Sequence, residues 1–455
     1  MKILVIGGVA GGAGAAARLR RNDEKYEIIV FEKGDYISFA NCGLPYYIGS
    51  VITQKENLTL QTPQSFNKRF NIDVRTNNEV VSVDTKNKLV KVRELKDDEE
   101  YMYEESYDKL VLSPGARPIT PKINGTDLKN VFTLRNIPDT YKIKEFIINN
   151  DPKVATIIGG GYIGMEMAEN LYNLGIKVNI VEAPYHIIGS LDEDMFYDIQ
   201  NHVRSKGIKL YLNSLATEIK DDGVIVDEKD FISSELVILS IGVLPETGFL
   251  NGSGIELGNR GEIIVNEYLQ TNLNDIYAVG DAISVKSFVS KVDTVIPLAS
   301  PANKQARIVA DNIYGKNIKY NGTQGTAIAK IFDMTVAVTG ENERTLTNTD
   351  YLKSFTYSFS NATYYPGATP MYIKLLFEKE GKLLGCQIVG HEGVDKRIDV
   401  LATAIRGNMN VFDLQELELA YAPPFSSAKD PVNMAGYVAG NIVDKKTDVF
   451  FISDL

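Results

Sequence analysis

Cys42 is the residue of this chain whose type and surroundings most directly suggest chemistry. It lies in the run 37–47, and the only other cysteine is Cys386, so no local disulfide partner exists. A thiol attacks as its thiolate. The following Gly43-Leu44-Pro45 predicts a helix start, because proline is tolerated in a first turn. The free N–H groups of such a turn favour the anion. Free cysteines are often buried and inert, so position alone leaves both interpretations open.

A glycine-rich turn precedes this cysteine. A strand predicted over Lys2–Ile6 runs into Gly7-Gly8-Val9-Ala10-Gly11-Gly12, a helix is predicted over Ala13–Arg20, and a strand over Tyr26–Phe31 leads to Glu32. This is the βαβ signature of dinucleotide binding. Gly7 permits the tight turn, Gly12 permits close helix–strand packing, and the acid holds a ribose hydroxyl. The signature is incomplete, because a valine replaces its middle glycine.

The same unit recurs with all three glycines. The strand Val154–Ile158 is followed by Gly159-Gly160-Gly161-Tyr162-Ile163-Gly164, a helix to about Leu174, and a strand over Lys177–Val181 that leads to Glu182. Two copies, each with an acid at the expected distance, predict two dinucleotide sites. Because the Glu182 carboxylate would repel a 2′-phosphate, we expect the second site to prefer NADH over NADPH.

The remaining segments predict an interrupted first domain and a third domain. The strand in Tyr107–Ala116 ends where the chain leaves the first domain, and a buried strand ends at Gly280-Asp281, where a ligand or only solvent would meet the carboxylate. The predicted fold is α/β, with two Rossmann-like domains and a C-terminal α+β domain. The expected parts are 1–112 and 246–322 for the first domain, 113–245 for the second, and 323–455 for the third.

The composition and net charge limit the kinds of partner that we expect for this chain. The chain has 455 residues and a net charge of −11, which argues against nucleic acid as the main partner. No apolar run approaches the roughly 18 residues of a membrane span, so we expect no membrane association. Two distant cysteines are typical of the reducing cytoplasm. With three histidines, they leave little for a zinc or iron–sulfur site.

Five motifs together resemble a known family over essentially the whole chain. They are Ser38–Tyr46, Ile296–Asn303, Lys330–Asp333, Tyr364–Gly367 and Tyr421–Pro431. The family is the pyridine nucleotide–disulfide oxidoreductases, and the similarity is strongest to its single-cysteine branch and, within that, to the coenzyme A-disulfide reductases. The Cys42 and Tyr421 motifs are specific, whereas many flavoproteins share the glycine turns.

Three absences separate this chain from other branches. Two-cysteine relatives carry a second cysteine where this chain has Tyr47, so no internal active disulfide is expected. They also use a C-terminal His–Glu pair, and His186, His202 and His391 lie in no such motif. Single-cysteine oxidases and peroxidases carry a histidine where this chain has Ala10, which makes them the weaker match.

The resemblance implies FAD and NADH as cofactors and a set of residues that bind them. These are Gly7, Gly8, Ala10, Gly11, Gly12, Glu32, Lys33, Ser113, Gly115, Gly159, Gly161, Tyr162, Ile163, Gly164, Glu166, Glu182, Gly242, Gly280, Asp281, Pro297, Leu298 and Ala299.

The resemblance also implies a catalytic cycle. Cys42 is expected to form a mixed disulfide with coenzyme A (CoA), which NADH reduces through FAD. The freed thiolate then attacks CoA disulfide. Tyr421, with Tyr364, would protonate the departing CoA thiolate from the partner subunit of a homodimer. Cys386 lies in an apolar strand and is interpreted as structural.

CoA carries phosphates, so cations are expected around its nucleotide. The candidate CoA-binding residues are Arg18, Arg21, Ser38, Asn41, Lys68 and Arg69. For each basic residue, an exposed helix surface is an equally simple explanation.

Three other functions remain open. The first is a CoA-assisted NADH-dependent persulfide or polysulfide reductase that uses the same cysteine and tyrosines. The second is an NADH oxidase or peroxidase that cycles a Cys42 sulfenic acid. The third is a flavin-bearing redox sensor without catalysis.

Overall fold

The two predicted nucleotide-binding units form two parallel sheets in the computed structural model, which describes residues 1–96, 99–347 and 349–451. The first sheet has the strand order Ile276–Ala278, Lys109–Leu112, Lys2–Ile6, Glu27–Phe31, Asp73–Arg75. All of its strand pairs are parallel. Its strands are nearly continuous apolar runs, as expected of a parallel sheet covered on both faces.

Two helices pack together beside this first sheet. They are Ala10–Asn22, which extends further in both directions than predicted, and Ala299–Ile313. Small residues bring them close, since a Cβ on Gly14 would lie 3.2 Å from the Cβ of Ala306.

The second sheet repeats the arrangement. Its order is Lys209–Leu212, Lys177–Glu182, Val154–Ile158, Leu236–Leu239, Val131–Thr133, with all pairs parallel. The helices of this part are Ile137–Asn150, Tyr162–Asn173 and Tyr197–Ser205. The helix and strand predicted after the second glycine turn are confirmed to within one residue.

The C-terminal part is an antiparallel sheet with helices, as predicted. Its strand order is Ala327–Ile331, Met334–Gly340, Leu383–Gly390, Pro370–Phe377, Leu352–Phe359. The helices are Val394–Arg406, Val411–Glu416 and Pro431–Val443. One apolar cluster joins this sheet to its helices, and residues such as Phe332 and Val389 extend the core of the second sheet. The predicted α/β class with an α+β C-terminal domain is confirmed.

Several small sheets were not predicted; all of their pairings are antiparallel except that of Ile263–Ile264 with Ile283–Lys286, which is parallel. Two three-stranded meanders are Asn78–Asp84, Leu89–Lys96, Glu99–Ser106 and Ala216–Lys220, Gly223–Val226, Asp230–Ser233. Shorter pairings join Ala116–Pro118 to Val243–Pro245 and Ile283–Lys286 to both Ile263–Ile264 and Asp293–Thr294. These strands are short or have exposed faces, so they carry weak apolar patterns.

The remaining helical elements are short. They are the α-helices Leu44–Ile48 and Pro63–Phe70 and the 3₁₀ turns Asn41–Gly43, Lys55–Leu58 and Gly248–Leu250. Within the described residues no helix is both long enough and apolar enough to cross a membrane. The bounds of the four segments given above stay a prediction.

Candidate active site

Cys42 lies in the 3₁₀ turn Asn41–Gly43, which runs directly into the helix Leu44–Ile48. The predicted helix start is therefore present. The Cys42 residue is exposed, whereas Cys386 is 1% exposed within the strand Leu383–Gly390. Burial raises the pKa of the Cys386 thiol, so of the two thiols only Cys42 is accessible to a substrate.

The electrostatic environment of Cys42 differs from the expectation. The pKa of its thiol is raised, first by partial desolvation and then by the nearby carboxylates of Glu166 and Asp281. A favourable backbone contribution is present but smaller. The turn acts in the predicted direction, but desolvation and carboxylates from distant segments, which the local sequence does not reveal, outweigh it, so the net change in the Cys42 pKa is upward.

Glu166 is the carboxylate with the larger effect on the pKa of Cys42. It is partly buried on the helix Tyr162–Asn173, and burial raises its pKa to about 7. The hydroxyl of Tyr46 donates a hydrogen bond to Glu166 Oε1 at 3.4 Å, and Tyr46 follows Cys42 by one helical turn. Burial and the Glu166 charge raise the pKa of Tyr46 to about 12. The thiol therefore lies beside a Tyr–Glu pair that the sequence analysis did not connect to it.

We expect Glu166→Gln to shift the alkylation of Cys42 to lower pH. Removing a nearby negative charge stabilises the thiolate, so the pH of half-maximal reaction with iodoacetamide falls. Stopped alkylation and mass spectrometry measure that pH on holoprotein whose Cys42 has first been freed by a reductant that is then removed. Glu145→Gln, at an exposed position of the helix Ile137–Asn150, is the matched control. An unchanged profile in Glu166→Gln would contradict this electrostatic link.

The first glycine turn has the close approaches that a dinucleotide site requires. Gly7 has φ +96°, and a Cβ on Gly12 would lie 1.8 Å from the Gly7 carbonyl oxygen. The Glu32 carboxylate accepts hydrogen bonds from the N–H groups of Gly8 at 2.8 Å and Gly34 at 3.0 Å. Burial raises the pKa of Glu32. The acid thus lies at the turn, where a ribose would be held, and these residues fit the adenosine end of FAD.

The second glycine turn has the same construction. A Cβ on Gly164 would lie 2.0 Å from the Gly159 carbonyl oxygen, and Glu182 accepts a hydrogen bond from the N–H of Gly160. Burial raises the pKa of Glu182. The hydroxyl of Tyr162 lies 2.8 Å from Ser190 Oγ. The repeat of the glycine and acid geometry fits a second nucleotide.

The other predicted cofactor-binding residues lie around these two turns. Ser113 N–H donates to the Ile6 carbonyl at 2.8 Å, and Gly280 N–H donates to Gln305 Oε1 at 2.8 Å. Asp281 lies 3.4 Å from the Arg135 guanidinium, and burial raises its pKa.

The rest of that set is placed as follows. A Cβ on Gly11 would lie 2.6 Å from Ser113 Oγ, and Gly115 and Gly242 have positive φ. Gly161 and Leu298 are helix N-caps, Ala10 and Ala299 begin helices, and Ile163 is exposed. Pro297 lines a small cavity with Asp281, and Lys33 pairs with Glu246 at 3.3 Å. Sequence reasoning missed Arg135 and Gln305, which lie in no recognisable motif, and gave no role to Tyr46, although Tyr46 lies in the Ser38–Tyr46 motif.

Two tyrosines from separate loops form one hydroxyl pair. Tyr364 Oη and Tyr421 Oη lie 2.7 Å apart although the residues are separated by 57 positions. Tyr364 is 74% exposed and Tyr421 is 46% exposed. The hydrogen bond with Tyr421 raises the pKa of Tyr364. The pair is a solvent-facing hydroxyl pair on the C-terminal part of the chain.

The candidate CoA-binding residues fall into two groups. The guanidinium groups of Arg21 and Arg69 lie 5.5 and 5.1 Å from the ring centroid of Phe70, and the adjacent Lys68 is exposed. Arg18 does not join them. Its guanidinium donates to the carboxylate of Asp311 at 2.8 and 3.0 Å.

The two polar candidates precede Cys42 in the chain by four positions and one position. Ser38 has φ +44°, and its N–H donates to the Gly8 carbonyl at 2.9 Å. Asn41 begins the 3₁₀ turn that contains Cys42.

Two dinucleotide-type turns and an exposed thiol beside one of them define a nucleotide-dependent thiol oxidoreductase. A family model described as pyridine nucleotide-disulphide oxidoreductase matches residues 1–306, and the dimerisation domain of that family matches residues 326–431. The chain belongs to the pyridine nucleotide-disulphide oxidoreductase family. Members use FAD and a pyridine nucleotide, and the second match supports a homodimer.

Individual relatives indicate which branch of the family this chain resembles. The chain is 38% identical over 446 residues to the coenzyme A disulfide reductase of Staphylococcus haemolyticus, which covers 97% of this chain and 100% of that protein. It is 49% identical to reduced Bacillus anthracis CoADR-RHD, with a TM-score of 0.97 and coverage of 99% and 82%. An NAD-dependent persulfide reductase from A. fulgidus is 36% identical, with a TM-score of 0.95 and coverage of 100% and 86%.

Proposed function

We propose that this chain reduces CoA disulfide to two CoA thiols, with NADH as the electron source and a Cys42–S–S–CoA mixed disulfide as the intermediate. The observation that carries the proposal is the hydroxyl pair of Tyr364 and Tyr421 at 2.7 Å on an exposed surface. An electron-transfer flavoprotein has no need of a positioned acid of this kind together with an accessible thiol. The similarity to coenzyme A disulfide reductases supports the same substrate.

The chemistry at Cys42 is disulfide exchange. The Cys42 thiolate attacks one sulfur of CoA disulfide, a Cys42–CoA disulfide bond forms, and the other CoA leaves as a thiolate. Two electrons and a proton then return Cys42 to its thiolate and release the second CoA thiol. FAD, when bound, supplies those electrons from NADH.

The departing CoA thiolate needs a proton, and the tyrosine pair is positioned to give it. A general acid within hydrogen-bond reach of a leaving group contributes about 10² to 10⁴ in rate. Because the pair faces solvent within one subunit, we infer that it serves the Cys42 of the partner subunit. Each active site of the homodimer is then composite.

The CoA nucleotide is proposed to bind where Arg21 and Arg69 flank Phe70. Two guanidinium groups recognise phosphate oxygens, and the aromatic ring offers a stacking face. Lys68, Ser38 and Asn41 remain candidate contacts along the path to Cys42. The local positive charge contrasts with the net charge of −11 of the whole chain.

The two-cysteine composition favours a reducing cytoplasmic location.

The experiment that tests the proposal is intact mass of the purified homodimer before and after a reductant. A reductant-labile adduct of CoA size on Cys42, together with NADH oxidation driven by CoA disulfide, is the expected result. Absence of NADH oxidation with CoA disulfide while another acceptor turns over rapidly would overturn the proposed substrate.

We expect a higher kcat/KM for NADH than for NADPH. A hydrogen bond to a charged group contributes about 1.5–3 kcal/mol, so a ribose hydroxyl on Glu182 corresponds to a preference of about tenfold or more. Glu182→Ala is expected to reduce that ratio, whereas Glu145→Ala keeps it. Steady-state kinetics with both nucleotides measure the ratio, and a wild-type preference for NADPH would contradict the assignment.

A persulfide or polysulfide reductase is the second candidate, favoured by the similarity to the persulfide reductase from A. fulgidus. It would use the same thiol and the same proton donors. Initial rates with CoA disulfide, polysulfide and oxygen on one preparation separate the candidates. A polysulfide rate far above the CoA disulfide rate would favour the second one.

A further inference from the structure

Arg397 is a buried cation in the C-terminal part of the chain. It lies on the helix Val394–Arg406 and is 1% exposed. Its guanidinium donates to Asp430 Oδ2 at 2.9 Å, to Ser426 Oγ at 3.1 Å and to the Ser360 carbonyl at 3.0 Å. A weaker bond reaches the Phe425 carbonyl at 3.3 Å. A buried charge is stable only when its donors are paired, as they are here.

These partners belong to the two loops that carry the tyrosine pair. Ser360 begins the segment 360–369, which contains Tyr364. Phe425, Ser426 and Asp430 belong to the segment 420–430, which contains Tyr421. One guanidinium therefore joins both loops, and the N–H of Ala362 joins them again by donating to the Ser426 carbonyl at 3.0 Å.

Asp430 connects this network to a helix. Its Oδ1 accepts the N–H of Val432 at 3.0 Å as the N-cap of Pro431–Val443, and its Oδ2 accepts the hydroxyl of Ser426 at 2.6 Å. Although burial raises the pKa of Asp430, hydrogen bonds from Arg397 and Ser426 hold it below its usual range. The second loop is thus fixed to a helix at one end and to the guanidinium along its length.

We propose that Arg397 is a positioning residue for the Tyr364–Tyr421 pair, because its guanidinium holds the two loops at the separation that brings the hydroxyls into contact. This inference rests on the proposed function, in which the pair protonates the leaving CoA thiolate. A lysine keeps the charge but lacks the planar fork that spans several acceptors. Arg397→Lys is therefore expected to keep the fold and loosen the loops.

The test compares Arg397→Lys with Arg406→Lys in the FAD-loaded homodimer. Arg406 lies on the same helix, and its guanidinium donates a hydrogen bond of 3.2 Å to the Gly322 carbonyl. Gly322 lies outside both tyrosine loops. In Arg397→Lys we expect kcat with CoA disulfide to fall by about 10- to 100-fold, as for a small misplacement of a catalytic group. NADH-dependent ferricyanide reduction, which needs no tyrosine, is expected to match wild type. Hydrogen exchange in 360–369 and 420–430 is expected to be faster than in Arg406→Lys.

A double-mutant cycle separates positioning from general stability. Residues that act as one unit show non-additive effects, so Arg397→Lys/Tyr421→Phe should be no slower than Tyr421→Phe alone. Multiplied losses, or loop exchange equal to that of Arg406→Lys, would overturn the role of Arg397. If Arg397→Lys does not fold, Ser426→Ala removes one partner of the guanidinium and is read in the same way.

The role of the tyrosine pair and the role of Arg397 are tested by different measurements. Full CoA disulfide activity in Tyr421→Phe would overturn the role of the tyrosines, and with it the catalytic consequence of Arg397. The exchange measurement would still decide whether Arg397 orders the two loops.

Discussion

Replacing Cys42 with serine is expected to reduce the turnover of CoA disulfide by at least about 10³-fold, as for loss of other enzymatic nucleophiles. Serine keeps the shape of the side chain but does not ionise near neutrality and forms no disulfide. NADH-dependent ferricyanide reduction should persist, because the glycine turns at Gly7 and Gly159 are untouched. Initial rates with both acceptors measure the two activities.

Cys386→Ala is the matched control for this variant. Cys386 is buried in an apolar strand, so its truncation costs stability through a small cavity and leaves turnover per folded active site unchanged. Retention of more than a tenth of CoA disulfide activity in Cys42→Ser would contradict a mixed disulfide at Cys42. Loss of ferricyanide reduction as well would indicate a damaged cofactor site.

The second large effect is expected at the tyrosine pair. Tyr421→Phe should lower kcat with CoA disulfide by about 10²-fold or more, because the leaving thiolate loses its proton donor. Tyr364→Phe should lower it too, and the double variant should fall little below the more impaired single variant, since the two hydroxyls share one hydrogen bond. Steady-state kinetics against CoA disulfide measure these ratios.

The basicity of the leaving group gives a sharper version of this test. A weakly basic thiolate departs without a proton, so an activated aromatic disulfide should rescue Tyr421→Phe towards wild-type rates. Tyr437→Phe is the matched control, because its hydroxyl donates to the Gln415 carbonyl at 3.3 Å in the same C-terminal part. An equal defect of Tyr421→Phe with both disulfides would contradict proton donation.

Much of the nucleotide-binding architecture could be predicted from the sequence. The turns at Gly7–Gly12 and Gly159–Gly164 follow from local sterics, since only glycine fits where a Cβ would lie about 2 Å from a carbonyl oxygen. The strands on either side of these turns are predicted from apolar runs of the length typical of strands. The meanders at 78–106 and 216–233 were missed, because their exposed faces leave no clear period.

The environment of the thiol was predicted less well. The helix start after Cys42 was correct and its backbone acts in the expected direction, but desolvation and then the carboxylates of Glu166 and Asp281 outweigh it and raise the pKa of the thiol. Arg18 is a predicted CoA contact whose guanidinium also pairs with Asp311, and its role with CoA stays a prediction. The carboxylates beside Cys42 and beside Arg18 come from more than a hundred positions away in the chain.

The sequence by itself determined the class of fold and the two glycine turns with their acids, and it singled out Cys42 as the candidate nucleophile. These depend on residues within about thirty positions of one another, where backbone sterics and hydrophobic period dominate. Only the tertiary structure decided that Tyr364 and Tyr421 share a hydrogen bond, that Glu166 lies near Cys42, and that Arg397 joins two loops. Such contacts arise when distant segments pack together, and local residue patterns do not encode their distances.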